Sequence, residues 1–459
     1  MHALLVLASL TSESRAAEVQ FEGFYRARFR AFDTLSLSRD NALGEGLAAY
    51  AQHRLWLEPK FLISDKVGMY VQIRALDGVP WGFQPGAYDA FVTPQPNLFE
   101  YDLDAPTSST DETATLLDIT LWRAWGEVYT PIGHFSFGRM ALHWGSGIWL
   151  NDGLSVEPMF ADYGDTTDRV MWEQLIQDQF YLRATIDVPT ERYLGENDDT
   201  TAFGLATAYK TEDLTAGILL QLDHTGARQN LGSLNVFTAD LAGDAVLGKL
   251  NASAEVVGQF GGGDLDGGIN AANITALGGV LEAGLDLDPW KVAVQGGLAT
   301  GDGVPNDLNL RTFTFDRDFS VGMFLFEQPM PILATTAAAA NDTNGARDYS
   351  AALSGTAVSN ALFLKPHVSR ELVDGLTVDL AWLTARAAKL PPTALGEQLR
   401  GYGHEFQLGV GYTGIEHFLF DARLGAFLPG SVYSVAEIGQ VTEYRDAAFG
   451  FQLGGRVDF

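Results

Sequence analysis

The chain has 459 residues, no cysteine and a formal net charge of −29, from 29 Lys and Arg against 58 Asp and Glu. This balance argues against nucleic-acid binding, which needs a basic surface to displace counterions. Without cysteine, disulfides, thiolate metal sites and a catalytic thiol are excluded. The length suits two or three soluble domains or one large barrel.

The N-terminus has the pattern of a secretory signal peptide. The apolar run from Ala3 to Leu10 is followed by small and polar residues, with a cleavage point after Ala16 or Ala17, although the usual basic region before such a run is missing. We therefore expect residues 1–17 to be a signal peptide and residues 18–459 to form a single domain. No later apolar run is long enough to predict a transmembrane helix.

Apolar and polar residues alternate along most of the chain. In residues 19–32 (VQFEGFYRARFRAF), Phe21, Tyr25 and Phe29 share one face, while the other face carries Glu22 and three arginines. Because successive side chains of a strand point to opposite faces, such segments predict strands. We count about 16 to 18 of them and prefer 18. Over a chain of this length, that number gives the spacing of strands and connections usual for a large barrel. They start near residues 19, 50, 67, 116, 133, 178, 202, 213, 233, 246, 272, 290, 318, 358, 375, 403, 415 and 447.

Three of these segments are less regular than the rest. Those near residues 233 and 318 alternate most weakly, and LLDITLWRAW at 116–125 also fits a helix. Three insertions between the predicted strands are long, about residues 77–113, 145–177 and 300–356. Loops of this length usually carry function or fold into the interior.

The second face of each segment distinguishes two all-β folds. A soluble sandwich buries its apolar faces against each other, whereas a barrel in lipid turns them outward and keeps polar faces around the lumen. Here the segments are long, and their second faces carry charges, Gln, Asn, Gly and Ser. A closed barrel also pairs every backbone group of its strands, as lipid requires. We therefore predict a transmembrane antiparallel β-barrel with long extracellular loops, in the bacterial outer membrane.

The last segment, AAFGFQLGGRVDF at 447–459, ends on an aromatic residue. Phe451, Leu453, Val457 and Phe459 share one face, opposite Gln452 and other polar or small residues. A terminal amphipathic strand of this kind resembles the assembly signal of bacterial outer-membrane proteins. We therefore predict that Phe459 is part of that signal and that the barrel assembly machinery is a partner.

Arginines concentrate on the polar faces, although basic residues are few. Rings of arginine attract anions, and a guanidinium group fits carboxylate or phosphate in a bidentate manner. The predicted solute path is lined by Arg26, Arg28, Arg30, Arg54, Arg74, Arg183 and Arg423, and Arg456 occupies a similar position. The same arginines also suit pairing with inward acids, namely Glu22, Glu58, Asp187, Glu405 and Asp421. Both roles stay open at this point.

Acidic turn sequences offer a possible calcium site. They lie at 151–153, 196–199, 301–307 and 341–348, and supply carboxylates and carbonyls of the kind that bind this ion. None has the spacing of an EF-hand, and Asn, Asp and Gly are common in turns. Solvated turns are therefore favoured, and we predict no metal and no cofactor.

A hydrolase at the barrel rim belongs to a different function class. Its candidate residues are His134, His143, His404 and His417 as a base, and Ser136 or Ser146 as a nucleophile. Neither G-x-S-x-G nor H-E-x-x-H occurs. Histidines that pack in the lumen or at the membrane interface are favoured, and no enzymatic activity is predicted.

Three segments resemble the alginate-export type of outer-membrane porin. FSFGRMALHWGSG (135–147) is similar to a strand that ends in Gly-Arg-Gln before a Trp-Gly turn, and LATGDG (298–303) to an Ala-Ser-Gly-Asp stretch at a strand end. GHEFQLGVGY (403–412) followed by FDARLGAFLPGS (420–431) is similar to a penultimate hairpin that ends in Phe-x-Pro-Gly. The resemblance implies an 18-stranded barrel with an anion path and a structural role for Arg139. Met140 stands where the pattern has Gln, and residues 315–331 have no counterpart in it, so alginate itself is less supported.

These patterns together predict a passive, water-filled channel for small anionic solutes or an anionic polysaccharide. A general porin, in which inward charges pair and selectivity is slight, is the alternative within transport; a rim hydrolase or a loop-based adhesin is the alternative outside it. Outer-membrane lipid is an expected partner, and nucleic acid is not.

Overall fold

The computed structural model describes residues 18–35, 37, 47–82, 119–154, 159, 164–190, 200–226, 233–264, 271–303, 309–328, 357–389, 400–437, 440–443 and 446–459. The predicted signal peptide (1–17) and the acidic turns at 196–199 and 341–348 lie outside these residues. Within the described ranges, no helical segment has the length and apolar character of a membrane span.

The described residues form 21 strands, and their alternating sequences account for most of them. In chain order they are β1 Glu18–Asp33, β2 Leu47–Ser64, β3 Val67–Gly82, β4 Ile119–Thr130, β5 Gly133–Met140, β6 Thr167–Ile176, β7 Phe180–Thr190, β8 Thr200–Lys210, β9 Leu214–Thr225, β10 Leu234–Leu247, β11 Leu250–Asp264, β12 Ala271–Asp286, β13 Trp290–Ala299, β14 Asn309–Leu310, β15 Ala361–Val373, β16 Leu376–Ala387, β17 Gly401–Ile415, β18 Phe418–Pro429, β19 Ser434–Glu437, β20 Gln440–Glu443 and β21 Ala448–Asp458.

Eighteen of the described strands close into one antiparallel barrel. The exceptions are β14, which pairs with β12 over two residues, and the hairpin of β19 and β20. Closure is made by β1, which pairs with β2 on one side and with β21 on the other, from Phe24 opposite Asp458 to Asp33 opposite Phe449. A closed sheet has no unpaired edge strand. The predicted all-β barrel is confirmed, with the preferred strand number.

The two faces of the wall differ as the alternation predicts. Inward positions carry buried polar side chains such as Arg26, Gln72 and Glu405. Outward positions carry large, exposed apolar side chains, among them Leu121, Phe137, Val170, Ile186, Phe203, Leu222, Phe237, Val256, Leu281, Leu380, Phe406 and Leu424. An apolar outer belt around a polar interior is the arrangement of barrels that sit in lipid.

Connection lengths orient the barrel. At the end that holds Glu18 and Phe459, neighbouring strands are joined by short turns, such as those after Ser64 and Thr130. The connections at the other end include every long insertion. Outer-membrane barrels have short turns on the periplasmic side and long loops outside the cell, so the chain termini mark the periplasmic end.

Part of the β5–β6 connection folds into the lumen. Its described residues, 141–154, 159 and 164–166, are called the first lumen segment here. The Trp144 ring packs with Ala206 on β8 and Leu219 on β9. The backbone N–H of Ser146 donates to Glu255 Oε2 on β11, 2.5 Å away. The segment therefore reaches from its own strands to the wall formed by β8–β11.

Residues 311–328, the second lumen segment, fill another part of the interior with apolar side chains. Phe324 packs edge-on to Phe32 at 5.6 Å and stacks on Phe427 at 6.1 Å. The carboxylate of Glu405 on β17 accepts three consecutive backbone N–H groups, at 2.5 Å from Met323, 3.2 Å from Phe324 and 2.9 Å from Leu325. The largest apolar cluster of the described residues thus lies inside the barrel.

Two predicted elements are wrong. The insertion predicted at 145–177 contains β6, whose alternation is blurred because Met171 is buried inside with Met140, while Asp168 is exposed outside. The strand predicted near residue 318 belongs to the second lumen segment, where regular apolar spacing serves interior packing. The ambiguous stretch 116–125 contributes to a strand, β4. One strand missed and one added leave the predicted total unchanged.

Candidate solute path through the lumen

Arginines gather on one side of the interior, on six strands that are neighbours in the barrel. This arginine wall consists of Arg423 on β18, Arg456 on β21, Arg26, Arg28 and Arg30 on β1, Arg54 on β2, Arg74 on β3 and Arg123 on β4. Arg26 lies directly opposite Arg54 on one side and Arg456 on the other. Six of the seven arginines predicted for the path are thus brought together, and their role in transport stays a prediction.

The arginine wall contacts the first lumen segment. Arg26 Nη1 donates to the backbone oxygen of Met159 at 3.1 Å, and Arg28 Nη1 donates to the same oxygen at 3.3 Å. Arg28 also donates to Gln52 Oε1 at 2.9 Å. Some guanidinium donors therefore hold the protein's own backbone.

Aromatic rings are interleaved with these cations. The guanidinium carbon of Arg74 lies 3.6 Å from the ring centre of Trp122 and 5.1 Å from that of Trp56, and that of Arg456 lies 4.0 Å from the ring centre of Phe24. Cation–π contacts help to fix a guanidinium group in place. Arg456 also bonds the carboxylate of Asp458, at 2.6 and 2.7 Å. These rings therefore orient the cations of the wall.

Buried acids lie on other strands of the barrel. Four of them lie close along the barrel, Asp187 on β7, Asp223 on β9, Asp240 on β10 and Glu255 on β11, none more than 8 % exposed, and Glu405 lies on β17. Asp187 pairs with Arg169 on β6, at 2.6 and 2.8 Å. The interior thus has a basic side on β18–β4 and an acidic side on β7–β11.

Arg183 is the exception among the predicted path residues. It lies on β7, away from the arginine wall, and its Nε is 2.8 Å from Glu173 Oε1 and 2.6 Å from the Tyr181 hydroxyl. The guanidinium group is compensated by Glu173, which also hydrogen-bonds Tyr181. This arginine fits the pairing alternative better than the path.

The acids proposed as arginine partners have mixed outcomes. Arg423 Nε does bond Asp421 Oδ1, at 3.1 Å. Lys60, however, pairs with Glu22 at 2.6 Å and lies 3.7 Å from Glu58. Asp187 pairs with Arg169, and Glu405 holds the second lumen segment. Pairing with acids and clustering of like charges therefore coexist at different places in the interior.

Sequence reasoning missed two buried arginines, Arg123 and Arg169, which are 2 % and 5 % exposed. Arg123 was hidden by a β-bulge, since Gln72 pairs with Arg123 while Ile73 pairs with Leu121. A bulge resets the alternation, so the residue's face cannot be read from simple parity. Arg169 lies on the strand that was itself missed.

The histidine and serine candidates do not form a hydrolase site. His134 Nε2 lies 3.4 Å from Ser136 Oγ but 3.3 Å from Glu127, and its Nδ1 is 3.4 Å from Glu173. A ring that faces a carboxylate at each nitrogen donates from both and cannot take a proton from serine. The contact of Ser146 with Glu255 is made by its backbone N–H and not by its hydroxyl.

The other histidines have separate surroundings. His143 Nε2 hydrogen-bonds the Gly145 oxygen at 3.2 Å, and His404 stacks on Trp382 at 5.9 Å between ring centres. His417 lies in an exposed periplasmic turn. Among the described residues, no group of three or more acidic, His or Cys side chains is arranged to hold a metal ion.

Arg139 and Phe459 lie away from the lumen path. Arg139 pairs with Asp168 on the next strand at 3.0 and 2.8 Å, and each side chain is 50 % exposed. Phe459 exchanges backbone hydrogen bonds with Gly23 of β1, at 2.9 and 3.0 Å. The last residue is thus part of the seam that closes the barrel.

The two lumen segments are joined to each other. The Gly164 N–H donates to Asp318 Oδ2 at 2.5 Å, and the Asp316 N–H donates to the Ile148 oxygen at 2.8 Å. Burial raises the pKa of Asp165 to about 7; its hydrogen bond from the Asn151 N–H opposes this rise, and the nearby Asp318 carboxylate adds to it. The junction therefore contains a carboxyl group whose protonated form is favoured by burial.

Solved structures of known proteins share this architecture. OccK11 (OpdR) of Pseudomonas aeruginosa is similar over 96 % of each chain, with 10 % identity and a TM-score of 0.52. OccK5 (OpdH) of the same organism and a BenF-like porin from Pseudomonas fluorescens Pf-5 have the same identity and TM-score, over 96 % of this chain and 98 % of theirs. The chain has the fold of a large outer-membrane porin.

The likeness supports the predicted fold and agrees with the predicted location in the bacterial outer membrane. No family model matches the chain, and no curated protein matches it. At 10 % identity the solved structures establish the porin fold. They do not assign the chain to a particular family such as the alginate-export type.

Proposed function

We propose that the protein is an outer-membrane channel through which small anionic solutes diffuse passively along the arginine wall. The observation that carries the proposal is the register of Arg26 between Arg54 and Arg456, which places three arginines at opposed positions on adjacent strands, with one acid, Asp458, paired to Arg456. Like charges this close favour an anion beside them, since an anion lowers their mutual repulsion. The porin fold supports the channel itself.

Small solutes fit the interior better than a polysaccharide. Two lumen segments occupy it, and they are joined by hydrogen bonds from Gly164 and Asp316. A polymer such as alginate would have to keep the two segments apart for as long as it passed between them. Its support remains the sequence resemblance of residues 135–147, 298–303 and 403–431.

A general porin of slight selectivity is the second candidate. It is favoured by the compensated pairs Arg183–Glu173, Arg169–Asp187 and Arg423–Asp421. The acidic side of the lumen would attract cations as the basic side attracts anions. The two candidates differ in whether the basic side governs entry or the two sides balance.

Uptake by proteoliposomes distinguishes these candidates. Galacturonate, galactose and galactosamine have the same ring and similar size but carry a negative, no and a positive charge. We expect galacturonate to enter fastest and galactosamine slowest, because the arginine wall binds the carboxylate. Equal rates would support the general porin, and fastest entry of galactosamine would overturn the anion path.

The predicted partners belong to the same proposal. The exposed apolar outer belt suits contact with outer-membrane lipid. The C-terminal strand β21, with Phe459 at its end, suits recognition by the barrel assembly machinery before the strand is paired in the closed barrel.

A further inference from the structure

Arg123 binds the first lumen segment at two separate places. Its Nη2 donates to the backbone oxygens of Asp152 at 3.1 Å and Asp165 at 2.9 Å, and its Nε donates to Thr166 Oγ1 at 2.9 Å. Asp152 belongs to the part of the segment that follows β5, and Asp165 and Thr166 belong to the part that leads into β6. One guanidinium group therefore ties both halves to the wall.

The anchor itself is fixed from the other side. Arg123 Nη1 donates to Gln72 Oε1 on β3 at 3.1 Å, and the guanidinium carbon lies 5.8 Å from the ring centre of Trp56. Gln72 is held in turn by Glu58, at 2.6 Å. Because the side chain is 2 % exposed, water cannot replace these contacts without local opening.

The two halves of the segment are packed closely at this anchor. Gly164 has φ +75°, and a Cβ atom added there would stand 2.8 Å from Arg123 Nη2 and would collide with the Asp152 oxygen. Only glycine adopts this conformation without strain and leaves room for the guanidinium group. The glycine at position 164 thus allows the close approach of Arg123 to the segment.

We propose that Arg123 is a positioning residue that sets the width of the solute path by holding both halves of the first lumen segment against β4. This role rests on the proposed channel function. The donor geometry requires arginine, since the planar guanidinium group directs several N–H groups along fixed directions, whereas a lysine ammonium is a point with a shorter reach. Arg26 and Arg28, which donate to the Met159 oxygen, hold the middle of the same segment.

The charge-conserving variant Arg123→Lys tests this role in single-channel recordings. We expect unit conductance to rise about 1.5-fold or more, with the ratio of anion to cation permeability unchanged, because the segment moves while the charge stays. Arg139→Lys is the matched control on β5, away from the lumen path, and its conductance should stay within about 20 % of wild type. Wild-type conductance in Arg123→Lys, or an equal rise in Arg139→Lys, would overturn the proposal.

A chemical readout tests the positioning role without ion conduction. The chain has no cysteine, so Leu154→Cys introduces a single thiol in the first lumen segment. At fixed pH, a water-soluble maleimide should alkylate it several-fold faster when Arg123→Lys is also present. Equal rates would overturn the role of Arg123, whereas a wild-type protein that does not conduct would overturn only the channel function.

A weaker variant covers the case in which Arg123→Lys does not fold. Thr166→Ala removes one of the three contacts with the segment and leaves the arginine in place. When Thr166→Ala is combined with Leu154→Cys, alkylation of the introduced thiol should rise in the same direction by a smaller factor. An unchanged rate would count against the proposal.

Discussion

Arg26 on β1 and Arg54 on β2 occupy directly opposed positions on adjacent strands of the barrel. Both are buried on the lumen side, at 2 % and 8 % exposure. Like charges opposite each other destabilise a strand pair. Arg456 lies on the other side of Arg26, where its charge is offset by Asp458 at 2.6 Å. We propose that this cost is retained because the positive field attracts anionic solutes.

The first prediction concerns this field. Arg54→Glu should reduce the ratio of anion to cation permeability at least about threefold, because it reverses one charge within the arginine wall. Reversal potentials in planar bilayers measure the ratio. Lys210→Glu makes the same charge change at the exposed end of β8 and should have little effect. Similar shifts in both variants would show that only the net charge matters.

The second prediction compares two Arg–Asp pairs of similar geometry. The Arg169–Asp187 pair is buried, with side chains 3 % and 4 % exposed, whereas Arg139 and Asp168 are each 50 % exposed. Asp187→Asn should lower the free energy of unfolding by about 3–5 kcal/mol, since it leaves a buried guanidinium group uncompensated. Asp168→Asn should cost about 0–1 kcal/mol.

Urea unfolding in lipid vesicles measures both variants under the same conditions. The change expected for Asp187→Asn is several times that expected for Asp168→Asn. Equal changes would mean that water reaches the Arg169 site freely, and the account of a tightly packed lumen would be wrong there.

The sequence predicts the barrel well because its signal repeats in most strands. Most strands follow simple alternation, and the apolar set faces lipid in each of them. The first lumen segment follows no such period, and the second has a similar apolar spacing without forming a long strand. Residues 313–326 look like a strand because they are apolar, and only the fold reveals that Phe32 and Phe427 line the space they fill.

A third prediction concerns pH. Burial raises the pKa of Asp165 to about 7, and Asp318 of the second lumen segment acts in the same direction, while the hydrogen bond from Asn151 and the charges of Arg123 and Arg169 oppose it. Because an aspartate in the unfolded chain has a pKa of about 4, the folded state favours the protonated form. The contribution of Asp165 to stability is therefore full below about pH 4 and is lost as the pH rises through about 7.

Melting temperatures in detergent micelles at about pH 5 and about pH 8 test this sign. Wild type should melt at a lower temperature at the higher pH, and Asp165→Asn should reduce the difference. Asp213→Asn, at a periplasmic turn, should leave it unchanged. A difference that persists in full in Asp165→Asn would assign the pH dependence to other groups.

The fourth prediction concerns assembly at the barrel seam. Phe459 is bonded to Gly23 through both backbone groups, and its ring lies against that glycine. Phe459→Ala should reduce the amount of folded barrel in the outer membrane several-fold while changing the stability of the purified protein little. Heat-modifiable gel mobility measures the folded fraction. An unchanged yield would remove Phe459 from the assembly signal.

The candidate site could be predicted only in part. Six of the arginines proposed for the path lie on one wall, because parity along regular strands gives their face correctly. The inward position of Arg123 could not be predicted because of the bulge opposite Gln72 and Ile73. Contacts with Met159 and Asp165 depend on how a long connection folds back, which no local pattern encodes.

The measurement that tests the central claim most directly is the reversal potential of the wild-type protein in a planar bilayer under about a tenfold KCl gradient. The arginine wall predicts open channels that prefer chloride. Open channels that prefer potassium would mean that the acidic side governs entry, and the anion path would be contradicted.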